Sequence, residues 1–377
     1  MKKLLIVVGT RPNFIKVTRF KQVAIERGGI DVRIVHTGQH FSSNMADVFF
    51  TQFGLSPDIF LEIGAGTPLG QMAGIMEKLE PVALREQPDL MMVVGDVNST
   101  LAAALVANKL GIPLAHLESG LRSSDNTMPE EHNRVLTDRI TDHFFITEQS
   151  GLDNLRKEAV AVDRLHFVGN TMIDTLVAFE EGVMASPILD ELKLGAGGHI
   201  LMTIHRPATV DVEDRLGELL DLIAEVAAKR KVVFPIHPRT VKNLERFGLK
   251  QKAEGIKGLV LTEPLDYFAF QKLIASCAFI ITDSGGIQEE STYRRVPCLT
   301  LRPNTERPIT VTMGSNELVP LDMKAVRNAI ARIEAGTFKK GEVPPLWDGK
   351  ATERIFDVLE RVLTSPPAPL PRRGGQA

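Results

Sequence analysis

Cysteine is scarce in this chain: its 377 residues include two, Cys277 and Cys298, each inside an apolar stretch. Two thiols cannot form a disulfide framework, so they are expected as core packing in a reducing compartment. A charge excess of either sign is also missing, with 44 basic residues against 47 acidic ones and a net charge of −3. No basic stripe with interleaved aromatics appears, so the sequence offers nothing for a nucleic-acid partner or an anionic membrane surface to recognise. No hydrophobic run is long enough to span a bilayer. Met1-Lys2-Lys3 before Leu4–Val8 has the outline of a leader, but its apolar run is short and a Gly-Thr-Arg-Pro turn follows, so it reads as a first β-strand. No short-period repeat is present. A chain of this length buries a substantial core and suits two or three domains, and a cytosolic, soluble protein is expected.

What the chain does have is alternation. Short apolar runs (Leu4–Val8, Val32–Val35, Leu90–Val94, Leu114–Leu117, Phe144–Thr147, Leu165–Val168) are separated by longer helix-like segments. The pattern restarts after the Gly-rich stretch Lys193–Gly198, with Ile200–Ile204, Val232–Pro235, Leu259–Thr262, Phe279–Thr282 and Cys298–Leu301. Apolar residues on both strand faces with helices between them predict α/β architecture: two Rossmann-like, doubly wound parallel sheets facing a central cleft. The expected division is a first domain over 1–170, a connecting segment over 171–198, a second domain over 199–346, a last helix over 351–363 packing back on the first domain, and a disordered Pro/Gly/Arg-rich tail over 365–377.

The strongest local motif is Asp283-Ser284-Gly285-Gly286, between an apolar strand and a helix that carries Glu289 and Glu290. Small residues at a helix N-terminus let a phosphate approach unpaired N–H groups, and Glu290, further along the helix, suits a ribose. At the other end of the chain, Gly9-Thr10-Arg11-Pro12 leaves the first strand, with Lys16 a turn later; Arg11 is placed to fork a phosphate. Asp96 and Glu118 each end a buried strand, and Glu130 and Glu131 open a helix that continues to Arg134. Acids gathered at one sheet edge suit proton abstraction and delivery, and crowding is expected to raise their pKa values. Glu131 is read as complementing the helix N-terminus. His205-Arg206 follows a strand, as does His237, so an anion site with a share in proton transfer is expected there, against an even prior for structural histidines. Arg307 lies on the loop after the next strand. Phe270 reads as a core phenylalanine. His36 and His40 flank Gly38 after a strand, which argues for cleft-lining loop histidines and against a zinc pair, so no metal is expected.

In this order, Gly9–Pro12, His36–His40, Gly95-Asp96, Glu118–Arg122, Pro129–Arg134, Gly169-Asn170-Thr171, His205–Pro207, Asp283–Glu290 and Thr305–Pro308 resemble the non-hydrolysing UDP-N-acetylglucosamine 2-epimerases over nearly the whole chain. The resemblance implies a glycosyltransferase-B fold and a homodimer. It also implies interconversion of UDP-GlcNAc and UDP-ManNAc without an added cofactor, by anti-elimination of UDP to a 2-acetamidoglucal and re-addition. Asp96, Glu118, Glu130 and His205 would then be catalytic. Arg11, Lys16, Arg134, Arg206, His237, Phe270, Ser284, Gly285, Gly286, Glu290 and Arg307 would hold the UDP sugar, and Gln39 and His40 would belong to a neighbouring regulatory site. The family's usual acids are replaced by Asn13, by Ala208-Thr209 and by Ile309, and Gly64–Gln71 lacks the arginine expected for the regulatory site. The exact UDP sugar, and which carboxylate is base and which acid, stay open at this point. So does the choice between this reading and a hydrolysing 2-epimerase or a transferase of the same fold.

Overall fold

The structure, a computed structural model, describes residues 1–38, 50–195 and 197–364. Gln39 and His40 lie outside the described residues, as does the tail over 365–377. Among the described residues no helix is long and apolar enough to cross a membrane.

The predicted apolar runs form the strands of two parallel sheets. The first sheet contains β1 (Lys2–Val8), β2 (Ile30–His36), β3 (Ile59–Phe60), β4 (Leu90–Val94), β5 (Leu114–Leu117), β6 (His143–Ile146) and β7 (Leu165–Phe167), in the order β3-β2-β1-β4-β5-β6-β7. The second contains β8 (His199–Thr203), β9 (Lys231–Pro235), β10 (Leu259–Thr262), β11 (Phe279–Thr282), β12 (Cys298–Thr300) and β13 (Asn316–Leu318), in the order β10-β9-β8-β11-β12-β13. Two of these, β3 and β13, were not expected. Each is an edge strand of two or three residues, and Asn316-Glu317 in β13 carries no apolar alternation to read.

Side chains on both faces of the central strands are buried, as crossover helices on both sides require. In the second sheet, Met202, Phe234, Ile281 and Leu299 pack one face, while Leu201, Val233, Ile280 and Cys298 pack the other. Both cysteines are buried and free.

By contacts the chain divides into a first unit (1–38, 55–175 and 348–364) and a second (50–54 and 176–347). The segment expected as a connection is three short helices, Thr171–Ala178, Glu180–Ala185 and Ile188–Glu191. The last helix, Ala351–Thr364, belongs to the first unit: Phe356 meets Phe20 with ring centroids 6.0 Å apart, and Asp174 accepts from the Ala351 N–H at 3.0 Å.

Each sheet reverses its winding once, at β1/β4 in the first and β8/β11 in the second. Loops that leave strand C-termini at such a reversal form the natural ligand position of a doubly wound sheet. Gly9–Arg11 and Gly95-Asp96 leave one of these points; His205-Arg206 and Asp283–Gly286 leave the other.

Candidate active site

In the first unit, Gly95 follows β4 with φ +67°, a conformation that favours glycine. A Cβ there would meet the Asn13 side-chain nitrogen at 2.9 Å, and the Glu118 carboxylate and Lys16 ammonium at 3.7 Å each. The groups after β1, β4 and β5 are therefore packed over one glycine. Asp96 pairs with Arg134, and Glu118 pairs with Lys16. Glu118 itself has φ +70°, a strained choice for a non-glycine residue at a strand end.

The cations are the surprise. Lys16 and Arg134 were expected on phosphate, yet both side chains are almost fully buried, Lys16 on Glu118 and Arg134 between Asp96 and Glu131. Crowding of the acids was expected to raise their pKa values; Asp96, Glu118 and Glu131 each have a cation beside them. Burial by itself raises the Glu131 carboxyl, but hydrogen bonds from Ser123 and Ser124 and the charge of Arg134 outweigh it and hold the group below the usual range. Glu131 does more than complement a helix N-terminus: it accepts from the Ser123 N–H at 2.9 Å and the Ser124 N–H at 3.0 Å, pinning the loop after β5. Glu130, its neighbour in the helix Pro129–Ile140, is half-buried.

His36 departs from its expected place. It is the last residue of β2, not a loop residue, and it is buried against Phe60. Its Nδ1 accepts the Gly38 N–H at 2.9 Å, so the ring is neutral there, and burial pushes its pKa down to about 4.

In the second unit, Asp283 follows β11, fully buried, and accepts from the N–H groups of His205 (2.9 Å) and Arg206 (2.7 Å). It also meets His205 Nδ1 at 3.0 Å, which fixes a side chain that is otherwise partly exposed. The His237 ring lies 5.4 Å from that of His205, and its Nδ1 accepts from the Arg239 N–H at 3.1 Å. Burial, then repulsion from His205, lowers the His237 pKa.

Ser284 precedes the helix Gly285–Tyr293 and its side chain does not cap it, so the first N–H groups remain directed out of the helix end. Gly285 lies against two charged side-chain ends: a Cβ would sit 2.9 Å from Arg307 Nη1 and 3.0 Å from Glu306 Oε1. Arg307 is enclosed by Glu289 (2.8 Å) and Glu306 (2.5 Å), and Arg302 pairs with Glu306 at 3.0 Å. Glu290 is buried in the same helix. Phe270 is half-buried against the cluster of Leu273, Ile274 and Ile287.

Sequence reasoning missed the supporting acids Asp138, Asp283, Glu289 and Glu306, along with Asn133, which donates to the Asp96 carbonyl at 2.9 Å. Asp283 and Glu289 were inside a quoted motif, and their position beside helix-end glycines was the available signal. Asp138 sits in the last turn of the helix Pro129–Ile140, and its partners His116, Gly120 and Arg122 lie on β5 and the loop after it, so nothing local marked it.

Two reversal points with these loops define an α/β protein of the glycosyltransferase-B class. A sucrose-phosphate synthase from Thermosynechococcus elongatus shares that fold, and only the fold, with TM-score 0.60 at 13% identity over 96% of each chain. Residues 23–360 match the family described as UDP-N-acetylglucosamine 2-epimerase. A UDP-N-acetylglucosamine 2-epimerase of Methanocaldococcus jannaschii is 39% identical over 95% of this chain and 98% of its own. A crystal structure of that organism's enzyme, with UDP-GlcNAc and UDP, superposes with TM-score 0.86 over 95% of this chain and 99% of that one. A UDP-2,3-diacetamido-2,3-dideoxy-D-glucuronate 2-epimerase of Pseudomonas aeruginosa is 38% identical over 96% of this chain and 100% of its own. The chain belongs to the UDP-N-acetylglucosamine 2-epimerase family, and it is an enzyme, an isomerase.

Proposed function

We propose that this enzyme interconverts UDP-GlcNAc and UDP-ManNAc by eliminating UDP across C1–C2 and adding it back after C2 is reprotonated from the other face. The observation that carries the reading is the pair of strand-end carboxylates, Asp96 and Glu118, each held by a buried cation around Gly95. A base must remove the C2 proton, an acid must return one, and positioned groups of this kind contribute roughly 10²- to 10⁴-fold each. Asp96, Glu118 and Glu130 take these roles, with Lys16 and Arg134 keeping the first two oriented. The second unit grips the leaving diphosphate: the N-terminus of the helix Gly285–Tyr293, Ser284 and His205 stabilise the charge that develops on the β-phosphate, with Arg206, His237 and Arg307 around them. Arg11 is a further phosphate ligand by family analogy. Glu290 binds the ribose and Phe270 borders the uridine on the same grounds. The family resemblance alone supports a cytosolic homodimer that supplies cell-envelope polysaccharide.

A second sugar is favoured by one feature. Ala208-Thr209 and Ile309 replace family acids, and the Pseudomonas aeruginosa relative acts on a 2,3-diacetamido glucuronate. Incubating the enzyme in D₂O with UDP-GlcNAc, UDP-ManNAc and UDP-2,3-diacetamido-glucuronate separately decides the matter. Deuterium at C2 with UDP-GlcNAc and a minor UDP-ManNAc pool is expected. Exchange with the diacetamido sugar alone selects the second reading, and no exchange with any of them defeats both.

A further inference from the structure

We propose that His116, clamped between Asp138 and the Gly95 carbonyl, is a positioning residue that sets Asp96 and Glu118 for proton transfer. The proposal rests on the epimerase reading above and adds to it a group that touches neither the sugar nor its phosphates.

His116 occupies the third position of β5, between β4 and β6, where a solvent-free apolar residue would ordinarily sit. Its Nδ1 lies 2.7 Å from Asp138 Oδ1 and its Nε2 lies 2.8 Å from the Gly95 oxygen. Both partners are acceptors. Each ring nitrogen thus has a polar partner, one of them a carboxylate. Hydrogen bonds that carry charge in a dry interior are short and directional, which suits them to holding backbone in place.

What the pair holds is specific. The Gly95 carbonyl belongs to the peptide that leads into Asp96, at a glycine whose φ is +67°. The other oxygen of Asp138, Oδ2, accepts the Gly120 N–H at 3.1 Å, two residues after Glu118, at a turn whose φ is +80°. One dyad thus ties down the backbone beside both strand-end acids. Arg122 completes it, meeting Asp138 Oδ2 at 2.7 Å and Glu158 at 3.0 Å. Burial raises the Asp138 carboxyl, but the charge and hydrogen bond of His116 and the charge of Arg122 outweigh it and hold the group below the usual range. A core histidine that only filled space would need one acceptor and would not meet the peptide next to Asp96. Because the grip acts through backbone, its loss should slow proton transfer more than it weakens binding of the nucleotide, most of whose expected ligands, Ser284–Gly286 and Glu290 among them, lie on the second unit.

The test uses the full-length enzyme, with UDP binding by calorimetry, C2 deuterium exchange from D₂O and thermal unfolding. For His116→Gln we expect kcat for exchange to fall at least about tenfold. The KM for the UDP sugar and the Kd for UDP should stay within about threefold of wild type. Asp138→Asn should behave alike, and the double variant should be no slower than the slower single, because the two act as one unit. Asp138→Asn serves where His116→Gln does not fold, and failure of both to fold assigns the dyad a scaffold role only. Unchanged kcat, losses in kcat and Kd of equal size, or additive losses in the double variant overturn the proposal. Wild type that exchanges with none of the three UDP sugars overturns the epimerase reading and this inference with it; wild-type exchange alongside fully active variants removes the inference alone.

Discussion

Glu118 and Lys16 form an ion pair in which the two side chains are 5% and 7% exposed, at a residue whose backbone is itself left-handed. Separating buried charges is costly: removing one partner of such a pair destabilises by about 3–5 kcal/mol, whereas removing both costs far less. We therefore predict that Lys16→Met and Glu118→Gln each lower the melting temperature and abolish C2 exchange. The double variant should melt above either single while remaining inactive. Strictly additive melting shifts would show that the pair is uncoupled.

Gly95 and Gly111 offer a matched comparison. Their φ values are +67° and +68°, so alanine carries the same backbone penalty, about 1–2 kcal/mol, at either site. A Cβ at Gly111 meets nothing within 4 Å, while one at Gly95 lies 2.9 Å from the Asn13 amide nitrogen. Gly111→Ala should lose stability but keep its exchange rate; Gly95→Ala should lose stability and at least about tenfold in exchange. Equal rates in the two variants would mean that the groups over Gly95 are not the reacting ones.

Asp283 orders the turn that carries His205 through two backbone N–H groups and the ring nitrogen. Asp283→Ala leaves those part-buried groups without their acceptor, a cost of at most about 1–3 kcal/mol for each. UDP affinity measured by calorimetry should fall at least about tenfold, while variants at Asp96 keep it. Undiminished UDP binding would place the diphosphate elsewhere.

Acid should destabilise the first unit in a defined window. Burial lowers both His36 and His166 to about 4. A histidine whose folded pKa lies below its unfolded value of about 6.5 adds stability that is complete above pH 6.5 and is lost as the pH falls through 4. For His36 this is on the order of 3 kcal/mol, and for the less buried His166 it is smaller. Urea midpoints should drop between pH 6.5 and 4, and His36→Phe should flatten that drop. A midpoint unchanged across the window would contradict the burial assigned to His36.

The thiols should be silent. Burial pushes the Cys298 thiol up to about 11, and Cys277 higher still, so neither offers a thiolate near neutrality. An aromatic disulfide reagent should titrate no thiol in the native protein and two after denaturation. Fast native labelling would show that the second sheet opens.

The acids and glycines at strand ends could be read in advance because strand, turn and helix chemistry is local. Gly95-Asp96, Glu118 and Ser284–Gly286 each follow an apolar run that names its own strand. Asn13 shows where such reading stops. By sequence it replaces a family acid and bears on the sugar. In the fold it is 3% exposed, donates to the Val94 carbonyl at 3.1 Å and accepts from Thr10, so it ties the turn after β1 to the end of β4. An acid could not make that donation.

The order of apolar runs and helices by itself determined two parallel α/β sheets, and the residues at their strand ends determined the enzyme family. The partners of those residues were decided only in three dimensions. Lys16 lies 102 positions from Glu118, Arg134 lies 38 from Asp96 and His116 lies 22 from Asp138. Charge pairing in a buried site depends on which strands the sheet sets side by side, and a parallel sheet takes its neighbours from distant parts of the chain.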